Sequence, residues 1–185
     1  VDASNLGRQM LYGPADIGKL KADQVATRLA SINPEILLTK ITDRLSAAAL
    51  TEAVLKSDVV LDGCDNFATR FQINDACVAN NRFLISGAAI RFEGQIAVFG
   101  PDYSTSPCYR CLYQEVDESL DNCAGNGVLA PIPGVVGTMM AVEALKFLTA
   151  IPSAKPGRLS LYDAMSVQQW QQLTIKKRTN CPACT

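Results

Sequence analysis

The sequence predicts an α/β fold: a mainly parallel sheet, an antiparallel extension toward the C-terminus, and a structural zinc site. Three observations carry this. Apolar spacing alternates between helical and strand periods from Leu20 to Ser86, the second half turns to short extended segments, and two CxxC pairs stand in the middle and at the end of the chain. With 185 residues, 48% of them hydrophobic, there is material for one packed core, and residues 1–185 are expected to form a single domain.

From Leu20 to Ile32, Ala22, Val25, Ala26 and Leu29 fall at i, i+3, i+4 and i+7, the stripe of an amphipathic helix that Asn33-Pro34 ends. The apolar run Ile36 to Ile41 reads as a strand. Leu45 to Leu55 returns to helical spacing, with Leu50, Ala53 and Val54 on one face. Within Asp58 to Asp62, Val59-Val60-Leu61 is a bare β-branched-rich run suited to a buried parallel strand. Phe67 to Val78 reads as helix, with Phe67, Phe71 and Val78 on one side and Arg70, Asn74 and Asn81 further round. Phe83 to Ser86 resumes strand character, and strands alternating with helices in this order imply right-handed crossovers.

Beyond Gly87 the style changes. Ile90 to Phe92 and Gln95 to Phe99 look extended and are joined through Glu93-Gly94. A Gly and Pro-rich passage, Gly125 to Gly137, leads into an apolar helix from Met139 to Leu148. Arg158 to Asp163 and Trp170 to Lys176 close the chain as strands.

Composition removes whole classes of function. There is no histidine, so Ser-His-Asp triads, Cys-His nucleophiles, His-ligated zinc catalysis and imidazole proton shuttles are excluded. Seventeen Lys and Arg stand against 18 Asp and Glu, a balance that offers no field for nucleic acid. No continuous apolar stretch of roughly 18 to 20 residues predicts a membrane span, and no basic-then-apolar segment opens the chain as a secretory signal would. A soluble, cytoplasmic protein that binds neither nucleic acid nor membrane is expected. Neither GxGxxG nor GxxxxGK[ST] occurs, so nicotinamide dehydrogenases and P-loop enzymes are unsupported.

Four of the seven cysteines form the pairs Cys108/Cys111 and Cys181/Cys184. A two-residue spacer lets both sulfurs of a knuckle face one point, so four thiolates can surround one tetrahedral Zn²⁺. An all-cysteine site is closed to water and therefore structural; the competing reading is a pair of redox dithiols. Cys123 lies in Asn122-Cys123-Ala124-Gly125-Asn126-Gly127, a loop sequence, and is either a functional thiol or an incidental one. Cys64 and Cys77 sit in apolar stretches and read as core.

Asp65 follows directly on the run Val59 to Asp62, at the carboxyl end of a predicted parallel strand, where open α/β sheets bind ligands. It reads either as a Mg²⁺ ligand beside phosphates or as the cap of the helix starting near Asn66. Arg8 and Lys21, taken singly, are as easily surface cations.

Together these residues resemble the E1-like adenylyltransferases of the MoeB, ThiF and HesA type, which activate ubiquitin-like sulfur-carrier proteins. Val1-Asp2-Ala3-Ser4-Asn5-Leu6-Gly7-Arg8-Gln9 is similar to the family's SNLxRQ element, Gly18-Lys19-Leu20-Lys21-Ala22 to its GxxK helix start, and Asp62-Gly63-Cys64-Asp65-Asn66 to its D-x-x-D-N turn. Ser86 to Gln95, Cys108-Tyr109-Arg110-Cys111, Gly127-Val128-Leu129-Ala130-Pro131 and Cys181-Pro182-Ala183-Cys184 follow in the family's order.

The resemblance implies a Rossmann-like sheet and a reaction. ATP and Mg²⁺ would bind at the carboxyl edge, and the carrier's C-terminal Gly-Gly carboxylate would attack the α-phosphate and release pyrophosphate. It assigns Arg8 and Asp65 to catalysis, with Asn5, Arg8, Gln9, Lys21 and Asp65 binding ATP and Mg²⁺. The four CxxC cysteines fall on the family's structural zinc, and Cys123 on a cysteine that some members use in sulfur transfer. A homodimer is implied, as is a sulfurtransferase or cysteine desulfurase as a further partner. The carrier leans to the molybdopterin branch over the thiamine branch. The family's Gly-rich nucleotide loop and ribose-binding acid precede SNLxRQ, so residues 1–185 are expected to lack that segment. A non-catalytic module that docks the carrier is the alternative.

Overall fold

In the computed structural model, residues 1–114, 127–151 and 155–185 are described. The chain divides into two compact units, Val1–Ser46 and Ala47–Thr185.

The first unit holds two 3₁₀ turns, Ala3–Asn5 and Pro14–Asp16, and helix α1, Lys21–Ile32. The covered side of α1 is the Ala22, Val25, Ala26 and Leu29 stripe, as its spacing predicts. The strand expected from Ile36 to Ile41 does not form. Leu37 is 96% exposed there; an apolar run becomes a strand only with a partner to pair its backbone, and this run has none among the described residues.

The second unit holds α2 (Ala47–Leu55), β1 (Val59–Asp62), α3 (Phe67–Ala79), β2 (Phe83–Ile90), β3 (Glu93–Phe99), α4 (Tyr109–Leu112), α5 (Pro131–Leu148), β4 (Arg158–Asp163) and β5 (Trp170–Thr174). The sheet is mixed, in the order β1-β2-β3-β4-β5. β1 and β2 pair in parallel around the crossover helix α3, with Val59 opposite Phe83 and Asp62 opposite Ser86. The remaining pairs are antiparallel, which is the expected extension. The β2–β3 turn lies at Arg91-Phe92 rather than Glu93-Gly94: Ile90 pairs with Glu93, and Arg91 takes a positive φ of 51°.

Side chains alternate across the sheet and divide the core in two. Phe83, Ile85, Ile96 and Val98 face α5, where Ile132, Val136, Met140 and Ala144 repeat at four-residue intervals. Leu84, Ala97, Phe99 and Leu159 face the opposite layer, with Val54, Phe71, Tyr109 and the paired cysteines. Burial of each large apolar side chain contributes about 1.5–3 kcal/mol.

α5 starts eight residues before the predicted Met139, inside the Gly and Pro-rich passage. Pro131 and Pro133 occupy its first turn, where amides have no intrahelical partner to lose. By length and composition α5 could cross a membrane, yet its apolar stripe is spent on the sheet. The approach is close: a Cβ at Gly94 would lie 2.5 Å from Val136 Cγ2.

Candidate functional site

At the carboxyl end of β1 a tight turn is built around a buried acid. Asp62, 1% exposed, accepts the Cys64 amide at 2.9 Å and the Ser86 hydroxyl at 3.1 Å, tying the ends of β1 and β2 together. Asp65 is exposed, and its Oδ1 has the Asn66 side-chain amide at 3.5 Å. It does not cap α3. Asn66 does, through Oδ1 to the Thr69 amide at 2.9 Å, because a residue in extended conformation just before the helix is the one that reaches the third amide. Asp65 is thereby left as an outward carboxylate at the carboxyl edge of the sheet, where open α/β sheets bind ligands, and its chemistry fits Mg²⁺, which takes one or two carboxylates beside phosphate oxygens.

Arg70, 8% exposed, braces this turn from the next helical turn. Its Nε donates to the Cys64 carbonyl at 2.9 Å, Nη2 donates to the same carbonyl, and Nη1 reaches the Tyr109 hydroxyl at 3.3 Å. Cys64 is half-buried, and burial, then the Asp62 carboxylate, push its thiol up to about 12, so it stays protonated beside the turn.

Arg70 also lines a cleft of about 360 Å³ on the α3 side of the sheet. Two cross-strand rows floor it. Ala88, Gln95, Leu161 and Gln171 stand opposite one another across β2 to β5, and Ile90, Glu93 and Asp163 form the next row. The small Ala88 leaves depth, and Tyr113 donates its hydroxyl to Gln95 Oε1 at 2.7 Å along one wall. Amide side chains interleaved with apolar ones on this floor suit an extended peptide, whose backbone needs donors and acceptors in alternation.

The four paired cysteines converge. Their sulfurs all lie within 4.8 Å of one another, with Cys108–Cys181 at 3.6 Å and Cys111–Cys184 at 3.5 Å. A tetrahedral zinc with bonds of about 2.3 Å spaces its sulfurs about 3.8 Å apart, whereas a disulfide needs about 2.05 Å. The geometry fits a zinc clasp joining the C-terminal CxxC to α4, and each close pair spans the two knuckles, unlike a redox dithiol. Burial pushes the Cys108 thiol up, and the Cys184 thiol to about 11. Burial also opposes ionisation of Cys181, but hydrogen bonds from the Ala183 and Cys184 amides and from the Cys184 and Cys108 thiols together outweigh it and bring the thiol down to about 7. A bound cation would hold all four as thiolates.

Around the sulfurs sits a supporting shell. Asn74 Oδ1 accepts the Tyr109 amide at 2.8 Å, and Asp75 holds Arg110 through two 2.8 Å bonds, Nε to Oδ1 and Nη2 to Oδ2. The Arg178 amide donates to Cys111 Sγ at 3.4 Å.

Asn5, Arg8, Gln9 and Lys21 lie in the first unit and Asp65 in the second. Arg8 is half-buried and donates to the Ser4 carbonyl at 2.9 Å; Lys21 is exposed at the start of α1. Asn5 donates to the Ser4 hydroxyl at 3.2 Å. Among the described residues Gln9 Oε1 is buried with no hydrogen-bond partner, an acceptor open to a ligand's donor. Cys123 lies outside the described residues.

The sequence reading missed Arg70, Asn74, Tyr109 and the cleft. The apolar spacing sets Arg70, Asn74 and Asn81 further round α3, whereas Arg70 and Asn74 are buried and Asn81 lies past the helix end at φ 49°.

A profile of the ThiF family matches residues 1–183. The chain is 44% identical over 184 residues to a sulfur carrier protein ThiS adenylyltransferase of Escherichia coli K12, covering all of this chain and 72% of that protein. It is 39% identical over 184 residues to the molybdopterin-synthase adenylyltransferase of the same organism, covering 73% of it. Among solved structures, E. coli MccB with ATP superposes with a TM-score of 0.81 at 20% identity, which shows a shared fold. The chain spans a little over half of MccB, 56% of its length.

Proposed function

The chain belongs to the ThiF family, and we infer from that premise that residues 1–185 belong to one catalytic domain, which adenylates the C-terminal Gly-Gly carboxylate of a ubiquitin-like sulfur-carrier protein with ATP. The observation that carries this reading is Asp65, an exposed carboxylate held at the carboxyl edge of β1 by a turn that Asp62, Ser86 and Arg70 brace.

In the reaction a carboxylate oxygen of the carrier bonds to the α-phosphorus as the bond to the pyrophosphate oxygen breaks, giving an acyl adenylate and pyrophosphate. No proton is transferred, so a chain without histidine suffices. Negative charge gathers on the α-phosphoryl oxygens and the departing pyrophosphate. Arg8 and Lys21 supply fixed cations for it, worth most where water is excluded. Asn5 and Gln9 add neutral hydrogen bonds. Bound at Asp65, Mg²⁺ would neutralise phosphate charge. The cleft beside Arg70 takes the carrier's extended C-terminal tail, and its Gln95 and Gln171 amides answer the tail's backbone groups.

The sequence leans to a molybdopterin-type carrier; the higher identity to the ThiS adenylyltransferase favours a thiamine-type carrier as a second reading. A homodimer, and a sulfurtransferase or cysteine desulfurase that loads the activated carrier, complete the proposal. Free thiols and ATP use both suit the cytoplasm.

ATP–pyrophosphate exchange, measured on the full-length protein with each carrier in turn, tests the reading. Exchange with one carrier alone establishes adenylation and names the branch. Carrier binding without exchange would replace it with a non-catalytic docking module.

A further inference from the structure

The turn carrying Asp65 and the four-cysteine centre are linked through two buried side chains. Tyr109 directly follows Cys108 in the first knuckle; it is 1% exposed and its ring meets Phe71 at 5.7 Å, Phe99 at 6.0 Å and Tyr113 at 5.0 Å. Its hydroxyl accepts from Arg70 Nη1 at 3.3 Å, while the rest of that guanidinium is spent on the Cys64 carbonyl and, through Nη2 at 3.5 Å, on the Gly87 carbonyl. A planar guanidinium cannot shift one of these bonds without moving the others. The backbone of Tyr109 is fixed in turn by Asn74 and by the helical turn between the two cysteines.

We propose that Tyr109 is a positioning residue: through Arg70 it couples the state of the four-cysteine centre to the posture of the Cys64–Asp65 turn, so that loading the centre sets the nucleotide edge. The inference rests on the adenylation reading for its catalytic consequence, but the coupling itself is a property of the fold. A clasp that only tied down the C-terminus would leave the Asp65 turn indifferent to metal.

The experiment follows the Cys64 amide, which donates to Asp62 within the turn, by hydrogen exchange in the full-length protein with and without zinc. Zinc removal with a chelator should speed its exchange roughly tenfold, the worth of about one hydrogen bond to a charged group. Tyr109→Phe keeps the ring and loses only the hydroxyl. It should bind one zinc per chain as before, exchange the Cys64 amide at the faster rate, and show no further change on chelation. In ATP–pyrophosphate exchange it should lose roughly tenfold in kcat with an unchanged KM for the carrier. Arg70→Lys keeps the charge without the fork; its Cys64 amide should exchange faster, respond no further to chelation and gain nothing from added Tyr109→Phe, and that loss of response to chelation decides the matter if Tyr109→Phe fails to fold.

A Cys64 amide indifferent to both chelation and Tyr109→Phe overturns the coupling. Single variants whose effects simply add overturn its route through Arg70. Absence of exchange activity in the wild type with either carrier overturns the adenylation reading alone, and the amide measurement still decides for or against Tyr109.

Discussion

Asn74 and Tyr109 meet across the joint between α3 and the first cysteine knuckle: the Asn74 side-chain oxygen accepts the Tyr109 backbone amide at 2.8 Å, and Asn74 is wholly buried. The amide lies next to Cys108, so this bond orients one thiol of the four-cysteine cluster from behind. Asn74→Ala leaves it without a partner. The variant should lose about 1–3 kcal/mol in urea unfolding, and zinc should pass to a competing chelator roughly 10–100-fold more readily.

Asp65→Asn keeps size and removes charge at an exposed position that caps nothing. Stability should stay within about 0.5 kcal/mol, while ATP–pyrophosphate exchange falls by roughly 100-fold or more. Exchange at the wild-type rate would remove Asp65 from the site.

Gly94 lets α5 lie directly on β3. In Gly94→Ala the new methyl would sit 2.5 Å from Val136 Cγ2 and 3.4 Å from Ile132 Cγ2. Overpacking of this kind costs about 1–3 kcal/mol, read as a lower urea midpoint. Adding Val136→Ala should recover part of the loss, since the two changes share one contact.

Alkaline pH should weaken the fold through buried thiols. Burial first, then the Asp62 carboxylate, push Cys77 from 9.0 to about 12, so between those values the unfolded chain releases a proton that the folded chain retains. Stability is then full below pH 9 and declines above it. Urea melts at pH 7.5 and 9.5 should show the decline, and Cys77→Ala should make it shallower.

Local periodicity made much of this architecture legible. β1, α3 and β2 appear in the sequence because their patterns are set by the layers they pack against. Ile36 to Ile41 misleads for the same reason: it is apolar, but a strand is a relation between two segments. Phe67, Arg70, Phe71 and Asn74 follow i, i+3, i+4 and i+7 and share one buried stripe, but spacing read from apolar residues alone sets the two polar ones aside. What it cannot supply is the Cys64 carbonyl or the Tyr109 amide that make their burial tolerable. The cysteine centre was legible from spacing alone, whereas the cleft exists only through the register of four strands.

The two knuckles have an effect that begins before the fold exists. Cys108 and Cys181 are 73 positions apart, so a cation shared between them turns the intervening polypeptide into a ring. Closing a ring of that size removes about 4 kcal/mol of configurational freedom from an unfolded chain by the relation for cross-links. A chain that keeps its metal in denaturant therefore begins refolding as a tethered loop, with β4 and β5 confined to the neighbourhood of β3 rather than searching for it.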